Sequence, residues 1–205
     1  QAVSAALSSD AQGVCAVASL DALRRELPDA EVGETLVVIA QGRDPGNVGT
    51  IIRTADAFGA RAVIAVAGTV DAASPKVVRS SAGSVFHLPV CLVPSFAEAR
   101  DLIHGRGAAL LGTSGGSGSL DLADLLVEGI SSRSRLSQSH AWAFGNEARG
   151  LSAEEMRACD GLVAIPMTGR AESLNVASAA ATCLFASQTV RGRTPSRPRV
   201  GGLRD

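Results

Sequence analysis

The chain has 205 residues, enough for one domain of ordinary size with a substantial core, and a hydrophobic share of 46% favours a folded protein. Aromatic residues make up only 3% and tyrosine is absent, which argues against stacking platforms of the kind that bind single-stranded RNA. The formal net charge is -1, so any surface that binds nucleic acid must be a local basic patch.

The cysteines and the apolar runs indicate the cellular setting. Cys15, Cys91, Cys159 and Cys183 are scattered singly, without the CxxC spacing or clustered histidines of a zinc site. We therefore expect no metal, and buried free thiols in a reducing cytoplasm. No apolar run approaches the roughly 20 residues that cross a bilayer, so we expect no membrane association. The start lacks a signal peptide and an initiator Met, so we expect the sequence to be part of a longer polypeptide.

Apolar runs and turn residues predict the elements in chain order. After a loose lead-in, residues 1–12, the predicted strands are 13–18, 36–40, 62–66, 85–90, 108–113, 141–144 and 162–165. The predicted helices are 19–27, 50–58, one that begins near Lys76, 95–103, 120–126, 153–159 and one that extends to about Arg191. This alternation predicts an α/β protein with a mostly parallel sheet, whose ligands gather at the carboxyl ends of the strands.

Three loops that follow buried strands combine glycine with Asn, Glu, Arg or Ser: residues 47–53, 145–152 and 165–175. Such clustering at strand ends is the pattern of a site. The helix after the third loop is rich in alanine and is expected to pack deep, with Ser173 as its N-cap. No G-x-G-x-x-G follows a strand and no G-x-x-x-x-G-K-[ST] occurs, which disfavours an unrelated nucleotide-dependent α/β enzyme.

The three loops carry long motifs: N-V-G-T-I-I-R-T-A (47–55), F-G-N-E-A-R-G-L-S (144–152) and I-P-M-T-G-R-A-E-S-L-N-V-A-S-A (165–179). In residues, order and spacing they resemble the three motifs of the SpoU (TrmH-like) RNA 2′-O-ribose methyltransferases of the SPOUT superfamily. Residues 74–83 resemble, more loosely, the branch with ribosomal-RNA enzymes that confer antibiotic resistance.

The resemblance implies an α/β fold with a C-terminal trefoil knot and S-adenosylmethionine as cofactor. It also implies a homodimer with each site near the dimer interface. The implied reaction is methyl transfer to a ribose 2′-hydroxyl of RNA, with 23S ribosomal RNA favoured. A tRNA 2′-O-ribose methyltransferase and a non-catalytic RNA-binding relative are the alternatives. The implied domains are a lead-in or linker left from an RNA-binding domain (1–34), the SpoU methyltransferase domain (35–191) and a basic flexible tail (192–205).

The resemblance also assigns residues to roles. Those that match the family's cofactor-binding positions are Thr113, Gly145, Asn146, Ile165, Met167, Leu174 and Asn175. Those that match its catalytic set are Asn47, Arg53, Glu147, Ser173 and Asn175. The predicted RNA contacts are Lys76, Arg79 and Arg149.

Arg53 is the family's favoured base, although a guanidinium keeps its proton up to about pH 12. Two roles therefore stay open for it, a phosphate ligand oriented by Glu147 or a transient base. The structural alternatives are that Asn47 is a turn residue, that Arg53 pairs with Asp56, and that Glu147 and Arg149 form an exposed ion pair.

Overall fold

The computed structural model of the protein describes Ser19, Leu23 and residues 26–130 and 134–192. Its strands are β1 (Thr35–Ile39), β2 (Val63–Val66), β3 (Val90–Val93), β4 (Ala109–Thr113), β5 (Leu120–Asp121), β6 (His140–Phe144) and β7 (Gly161–Ala164). Its α-helices are α1 (Pro45–Ala57), α2 (Pro75–Ser80), α3 (Phe96–Gly105), α4 (Leu122–Ile130), α5 (Ala153–Ala158) and α6 (Val176–Arg191). The predicted strand 13–18, most of the predicted helix 19–27 and the tail from residue 193 lie outside the described residues.

The strands of the described chain form one sheet in the order β3-β2-β1-β6-β4-β7-β5. Every pairing in that sheet is parallel, which confirms the predicted α/β class. The order reverses between β1 and β6, because the chain first builds outward from β1 to β3 and then crosses back to β4. A reversal point of this kind opens a crevice at the carboxyl ends of the strands. The trefoil knot stays a prediction.

The alternation of side chains along the strands divides the core into two layers. Val37 and Trp142 point to one face, where α1, α4 and α6 pack. Val38 and Ala143 point to the other face, where α3 packs through residues such as Ile103. All five residues of β1 and all five of β6 are buried, as the continuous apolar runs predicted for central strands.

Two elements differ from the predictions because of proline. Helix α1 begins at Pro45, five residues before the predicted start, because Asp44 caps it and proline suits the first helical turn. The predicted strand 85–90 is wrong: residues 84–86 form a 3-10 turn, and β3 begins at Val90, directly after Pro89. Val85 and Leu88 are apolar because they are buried in this turn.

The predicted helix 120–126 is instead the short strand β5 followed by α4.

Helix α6 is buried on one face only. Ala180, Cys183 and Leu184 lie in the core, whereas Phe185 is 54% exposed and meets Phe58 edge to face at 6.1 Å between ring centroids. The prediction of deep packing therefore holds for one side of the helix. Its N-cap is Asn175 and not Ser173. Among the described residues, no helix combines the length and apolarity needed to span a membrane.

Candidate active site

The site lies at the carboxyl edge of the sheet, where the chain order reverses. The loops that follow β1 and β6 meet there, and Asn146 Nδ2 donates a hydrogen bond to the carbonyl oxygen of Gln41 at 3.2 Å. A cavity of about 430 Å³ opens beside this junction. Its walls come from the ends of β4, β6 and β7 and from the loop before α6, so loops far apart in sequence build one cavity.

Close packing explains two glycines of the motifs. A Cβ on Gly49 would overlap the side chain of Ser80, so glycine lets α1 lie directly against α2. A Cβ on Gly145 would overlap the backbone of Gly150 and Leu151. This closeness lets Asn146 and Gly150 exchange two backbone hydrogen bonds, of 3.0 and 2.8 Å. The loop after β6 is therefore a tight turn that projects residues 147–149 beside the cavity.

Glu147 ties the second loop to the first. Its carboxylate accepts hydrogen bonds from the backbone N–H of Asp44 at 3.0 Å and of Arg43 at 3.4 Å. Burial raises the pKa of Glu147, but hydrogen bonds from backbone N–H groups and from the Asn47 side chain outweigh it and hold that pKa below its usual range. Glu147 is therefore an ionised anchor at neutral pH.

Asn47 and Asn175 tie the third loop to the first. Asn175 Nδ2 donates to Asn47 Oδ1 at 3.0 Å. The other end of the same amide, Asn175 Oδ1, accepts from the backbone N–H of Ala177 at 2.9 Å and of Ser178 at 3.3 Å, which caps α6. The first turns of α1 and α6 are thus joined by one pair of amides, and Glu147 extends this pair to the second loop.

Six of the seven predicted cofactor residues line the cavity: Thr113, Gly145, Asn146, Ile165, Met167 and Leu174. The seventh is Asn175, which is not part of the lining. Its side chain hydrogen bonds to the start of α6 and to Asn47. The hydroxyl of Thr113 donates to the carbonyl oxygen of Ala143 at 3.1 Å, so its side chain is also engaged within the protein. A ligand in this cavity would meet backbone groups and apolar side chains.

The predicted catalytic residues divide into two groups. Glu147 and Ser173 line the cavity, and Asn47 lines an adjoining cleft of about 550 Å³ that shares Glu147 with it. Arg53 is exposed on α1, six residues beyond Asn47, which is roughly 9 Å along the helix axis. No hydrogen bond or ion pair joins Arg53 to Glu147 in the described part of the chain. The structure therefore gathers Asn47, Glu147, Ser173 and Asn175 but leaves Arg53 outside the cavity.

The two structural alternatives that involve ion pairs are not seen among the described residues. Asp56 contacts His87, with 3.3 Å between Oδ2 and Nδ1, and not Arg53. Glu147 binds backbone N–H groups and forms no ion pair with Arg149. Of the predicted RNA contacts, Arg149 lines the cavity, whereas Lys76 and Arg79 are exposed on α2 outside its lining.

Sequence reasoning missed several residues of the site. Asp44 accepts from the backbone N–H of Asn47 at 2.8 Å, and the Asp-Pro pair that opens α1 was the signal for this cap. Arg43 lines the adjoining cleft. Leu151 and Met156 supply apolar walls of the cavity, and they carry no local signal that distinguishes them from other apolar residues.

Comparison with known proteins gives a family. Residues 34–185 match the SpoU rRNA Methylase family. The 23S rRNA (uridine(2479)-2′-O)-methyltransferase of Streptomyces viridochromogenes is 40% identical over 169 residues, which are 79% of this chain and 55% of that protein. The 23S rRNA (guanosine(2553)-2′-O)-methyltransferase RlmP of Bacillus subtilis is 37% identical over 154 residues, 73% of this chain and 56% of RlmP. The chain thus spans just over half the length of these two relatives.

A solved structure agrees with this match. The SpoU methyltransferase AviRb of Streptomyces viridochromogenes, in complex with the cofactor AdoMet, superposes with a TM-score of 0.69 at 36% identity. The superposition covers 83% of this chain and 62% of AviRb. The similarity therefore extends from the motifs to the fold that holds them.

Proposed function

The chain belongs to the SpoU rRNA methylase family, and on that premise we propose that it is an S-adenosylmethionine-dependent 2′-O-ribose methyltransferase of 23S ribosomal RNA. The observation that carries the proposal is the cavity of about 430 Å³, which the second and third motif loops line and to which the first motif loop is joined through Asn47. Support for the substrate comes from the names of the two relatives, both of which act on 23S rRNA. The proposed substrate and the free thiols Cys91, Cys159 and Cys183 suit a cytoplasmic protein.

The cavity residues fit the proposed cofactor. Leu151, Val163 and Ile165 offer apolar walls for an adenine ring, and the cavity volume is in the range of small-molecule sites. Gly145 lets the loop after β6 turn tightly against Gly150 and Leu151, and residues of this turn line the cavity. When bound, S-adenosylmethionine supplies a methyl group on a positively charged sulfur, which is a good leaving group.

The residues of the chain then have to align the RNA and accept a proton. They would hold the ribose 2′-hydroxyl in line with the methyl group, and an acceptor or water would take the hydroxyl proton. The adjoining cleft of about 550 Å³ is the proposed entrance for the target nucleoside, because it shares Asn146, Glu147 and Arg149 with the cavity. We assign to Asn47, Glu147 and Asn175 the role of positioning the three loops, since their side chains form the hydrogen bonds that join these loops.

We propose that Arg53 acts in the cavity of a second copy of the chain. Arg53 is exposed, lies outside the cavity of its own chain, and has no ion pair among the described residues. Helices α1 and α6 pack together, and the exposed Phe185 of α6 extends the surface that carries Arg53. A homodimer that uses this surface, as the family resemblance implies, would bring Arg53 to the cavity of the partner. In that arrangement Arg53 binds the phosphate beside the target ribose or takes the proton of the ribose 2′-hydroxyl.

A methyl-transfer assay tests the activity. Labelled S-adenosylmethionine is incubated with 23S rRNA or with tRNA, and methylated riboses are mapped by their resistance to alkaline cleavage. We expect label in 23S rRNA. Label only in tRNA would contradict 23S rRNA and identify tRNA as the substrate. Cofactor binding without label in either RNA would favour a non-catalytic relative.

A mixing experiment tests the placement of Arg53. Arg53→Ala and Gly145→Ala subunits are each expected to be inactive, the second because it cannot hold the cofactor. If Arg53 crosses to the partner, a mixed dimer recovers one working site and activity returns on mixing. Activity that stays absent in dimers proven to be mixed would return Arg53 to its own subunit.

A further inference from the structure

Two arginines line the same pair of clefts beside the cavity. Arg43 lies in the loop between β1 and α1, and Arg149 lies in the loop after β6. Both line the adjoining cleft of about 550 Å³, and both line a smaller cleft of about 180 Å³ next to it. No hydrogen bond or ion pair of either guanidinium occurs within residues 26–130 and 134–192. Two cationic groups that share a small cleft repel each other unless an anion lies between them.

The carboxylates near this pair are already engaged. Asp44 accepts from the backbone N–H of Asn47 at 2.8 Å. Glu147 accepts from the backbone N–H of Asp44 at 3.0 Å, and Glu155 accepts from that of Ser152 at 2.7 Å. Each acid therefore stabilises a helix start or a loop. The smaller cleft still holds two guanidinium groups against the one carboxylate of Glu155, so its lining keeps a net positive charge for a ligand.

Three backbone N–H groups beside the two arginines are also engaged within the protein. The N–H groups of Arg43 and Asp44 point to the carboxylate of Glu147, and that of Gly150 points to the carbonyl oxygen of Asn146. These three groups do not bind an anion in the cleft, so the guanidinium groups are its main donors. A guanidinium suits this task because its planar set of donors matches the oxygen atoms of a phosphate.

The size of the smaller cleft selects a group and not a whole molecule. Its volume of about 180 Å³ lies below the range of roughly 300 to 1,000 Å³ that is typical of sites for complete small molecules. The larger cleft, in contrast, is in that range and adjoins the cavity. The two clefts thus suit one nucleoside and one phosphate of the same strand.

We propose that Arg43, together with Arg149, clamps a backbone phosphate next to the target ribose and so fixes which nucleotide enters the larger cleft. This deepens the proposed function and rests on it for the identity of the anion. Arg43 is the new assignment, because it precedes the nine-residue motif of its loop and no motif marks it. The contact is electrostatic and reads no base, so it positions RNA without selecting sequence.

RNA affinity is the readout that tests the clamp. The chain and its Arg43→Gln variant are titrated with a 23S rRNA transcript at several salt concentrations, and cofactor affinity is measured separately by calorimetry. We expect Arg43→Gln to weaken RNA binding by about 10-fold, as for the loss of one charged hydrogen-bonding group. The slope of log K against log salt should become shallower by about 0.7 to 0.9, corresponding to one phosphate contact. Arg43→Lys should restore most of the slope, because that slope depends on charge.

Arg157→Gln is the matched control. Arg157 is an exposed arginine of α5 that lines none of the three cavities described above, and its replacement changes the net charge equally. Equal losses for Arg43→Gln and Arg157→Gln would reduce the effect to general charge and overturn the clamp. A loss of cofactor affinity with unchanged RNA affinity would also overturn it, because the anion would then be the cofactor carboxylate. Since binding is measured without methyl transfer, an inactive chain that still shows the Arg43 effect would refute the proposed function and leave the clamp standing.

Discussion

The polar residues at the two ends of the sheet differ in burial and in pairing. At the amino ends of β1 and β6, His140 and Ser187 are fully buried and hydrogen bonded to each other at 2.8 Å. At the carboxyl ends of the same strands, Arg43 and Arg149 are exposed and make no ion pair within the described residues. The polar groups that stabilise the fold have partners within the protein, and this distinguishes them from the groups that remain available for a ligand.

The buried end is a closed network. His140 Nδ1 lies 2.8 Å from the carbonyl oxygen of Gln138, which can only accept, so Nδ1 carries the proton. In the neutral ring Nε2 is then an acceptor, and the hydroxyl of Ser187 donates to it. The same hydroxyl oxygen accepts from Trp142 Nε1 at 2.8 Å. One serine of α6 thus satisfies two aromatic side chains of β6.

A buried ion pair completes the amino end. Arg106 Nε donates to Glu34 Oε1 at 2.7 Å and Arg106 Nη2 donates to Glu34 Oε2 at 2.8 Å. The side chain of Glu34 is only 2% exposed. Arg106 is therefore bound to an anionic group, as we propose for Arg43, but here the anion is a carboxylate of its own chain.

The largest effect is expected from opening the buried network. Ser187→Ala removes the acceptor of Trp142 Nε1 and leaves His140 Nε2 with only the longer contact to Thr35 Oγ1 at 3.4 Å, so the free energy of unfolding should fall by about 2 to 4 kcal/mol in urea denaturation. Ser178→Ala, at an exposed position of the same helix, is the control and should change it by less than about 0.5 kcal/mol. Equal effects of the two changes would show that the network does not carry the difference between the ends.

The pH dependence of stability should report the same network. Burial is the main cause that lowers the pKa of His140, from 6.5 to about 4, with a further decrease from the charge of Arg191, against an opposing hydrogen bond to Gln138. Between these two values the unfolded chain binds a proton that the native chain does not. Stability is therefore complete above about pH 6.5 and is lost as the pH falls to about 4, by about 3 kcal/mol in total.

His140→Gln isolates this contribution. The variant should lose most of the dependence of unfolding free energy on pH between 6.5 and 5, whatever its absolute stability. The wild-type and variant curves are measured by urea denaturation at each pH. Parallel curves would mean that His140 does not titrate differently in the folded and unfolded states.

The sequence predicted the fold where one signal acted alone. The apolar runs of β1 and β6 could be read as central strands because every side chain in them is buried. The prediction of a strand at 85–90 was wrong because Val85 and Leu88 are buried in and after the 3-10 turn of residues 84–86, before Pro89. At the start of α6, Ser173 and Asn175 are both capping residues, and the sequence could not show that Asn47 holds the second one.

The site shows the same limit. Six of the cofactor residues that the resemblance assigns line the cavity, mainly because the second and third motif loops build its walls. Arg43 was missed because an arginine in a loop has no periodicity, and its meaning depends on Arg149, which approaches from another strand. Unpaired charge becomes visible only when all neighbours across the sheet are known.

A smaller effect is expected from the amide pair that joins the exposed loops. Asn47→Ala should lower kcat/KM for methyl transfer by about 10-fold and the unfolding free energy by less than about 1 kcal/mol, because the hydrogen bond is exposed. Asn175→Ala also removes the cap of α6 and should cost about 1 kcal/mol more. In a double-mutant cycle the activity losses should be less than additive. Strict additivity would mean that the two residues act independently.

The smallest effect is expected from relieving backbone strain, and its consequence for activity should differ between the site and the rest of the chain. Gln41 and Ala82 are the non-glycine residues with positive φ in the described chain, at 56° and 49°. Glycine removes the penalty of this conformation but adds entropy to the unfolded chain, so Ala82→Gly and Gln41→Gly should each raise stability by only about 0.5 kcal/mol. Ala82 follows α2, outside the lining of the cavity, and its replacement should leave methyl transfer unchanged. Gln41 supplies the carbonyl oxygen that binds Asn146, so a looser backbone there should lower kcat/KM about 3-fold, roughly 0.6 kcal/mol. Thermal and urea denaturation combined with the methyl-transfer assay would measure both changes, and equal kinetics for the two variants would mean that the strain at Gln41 has no part in the site.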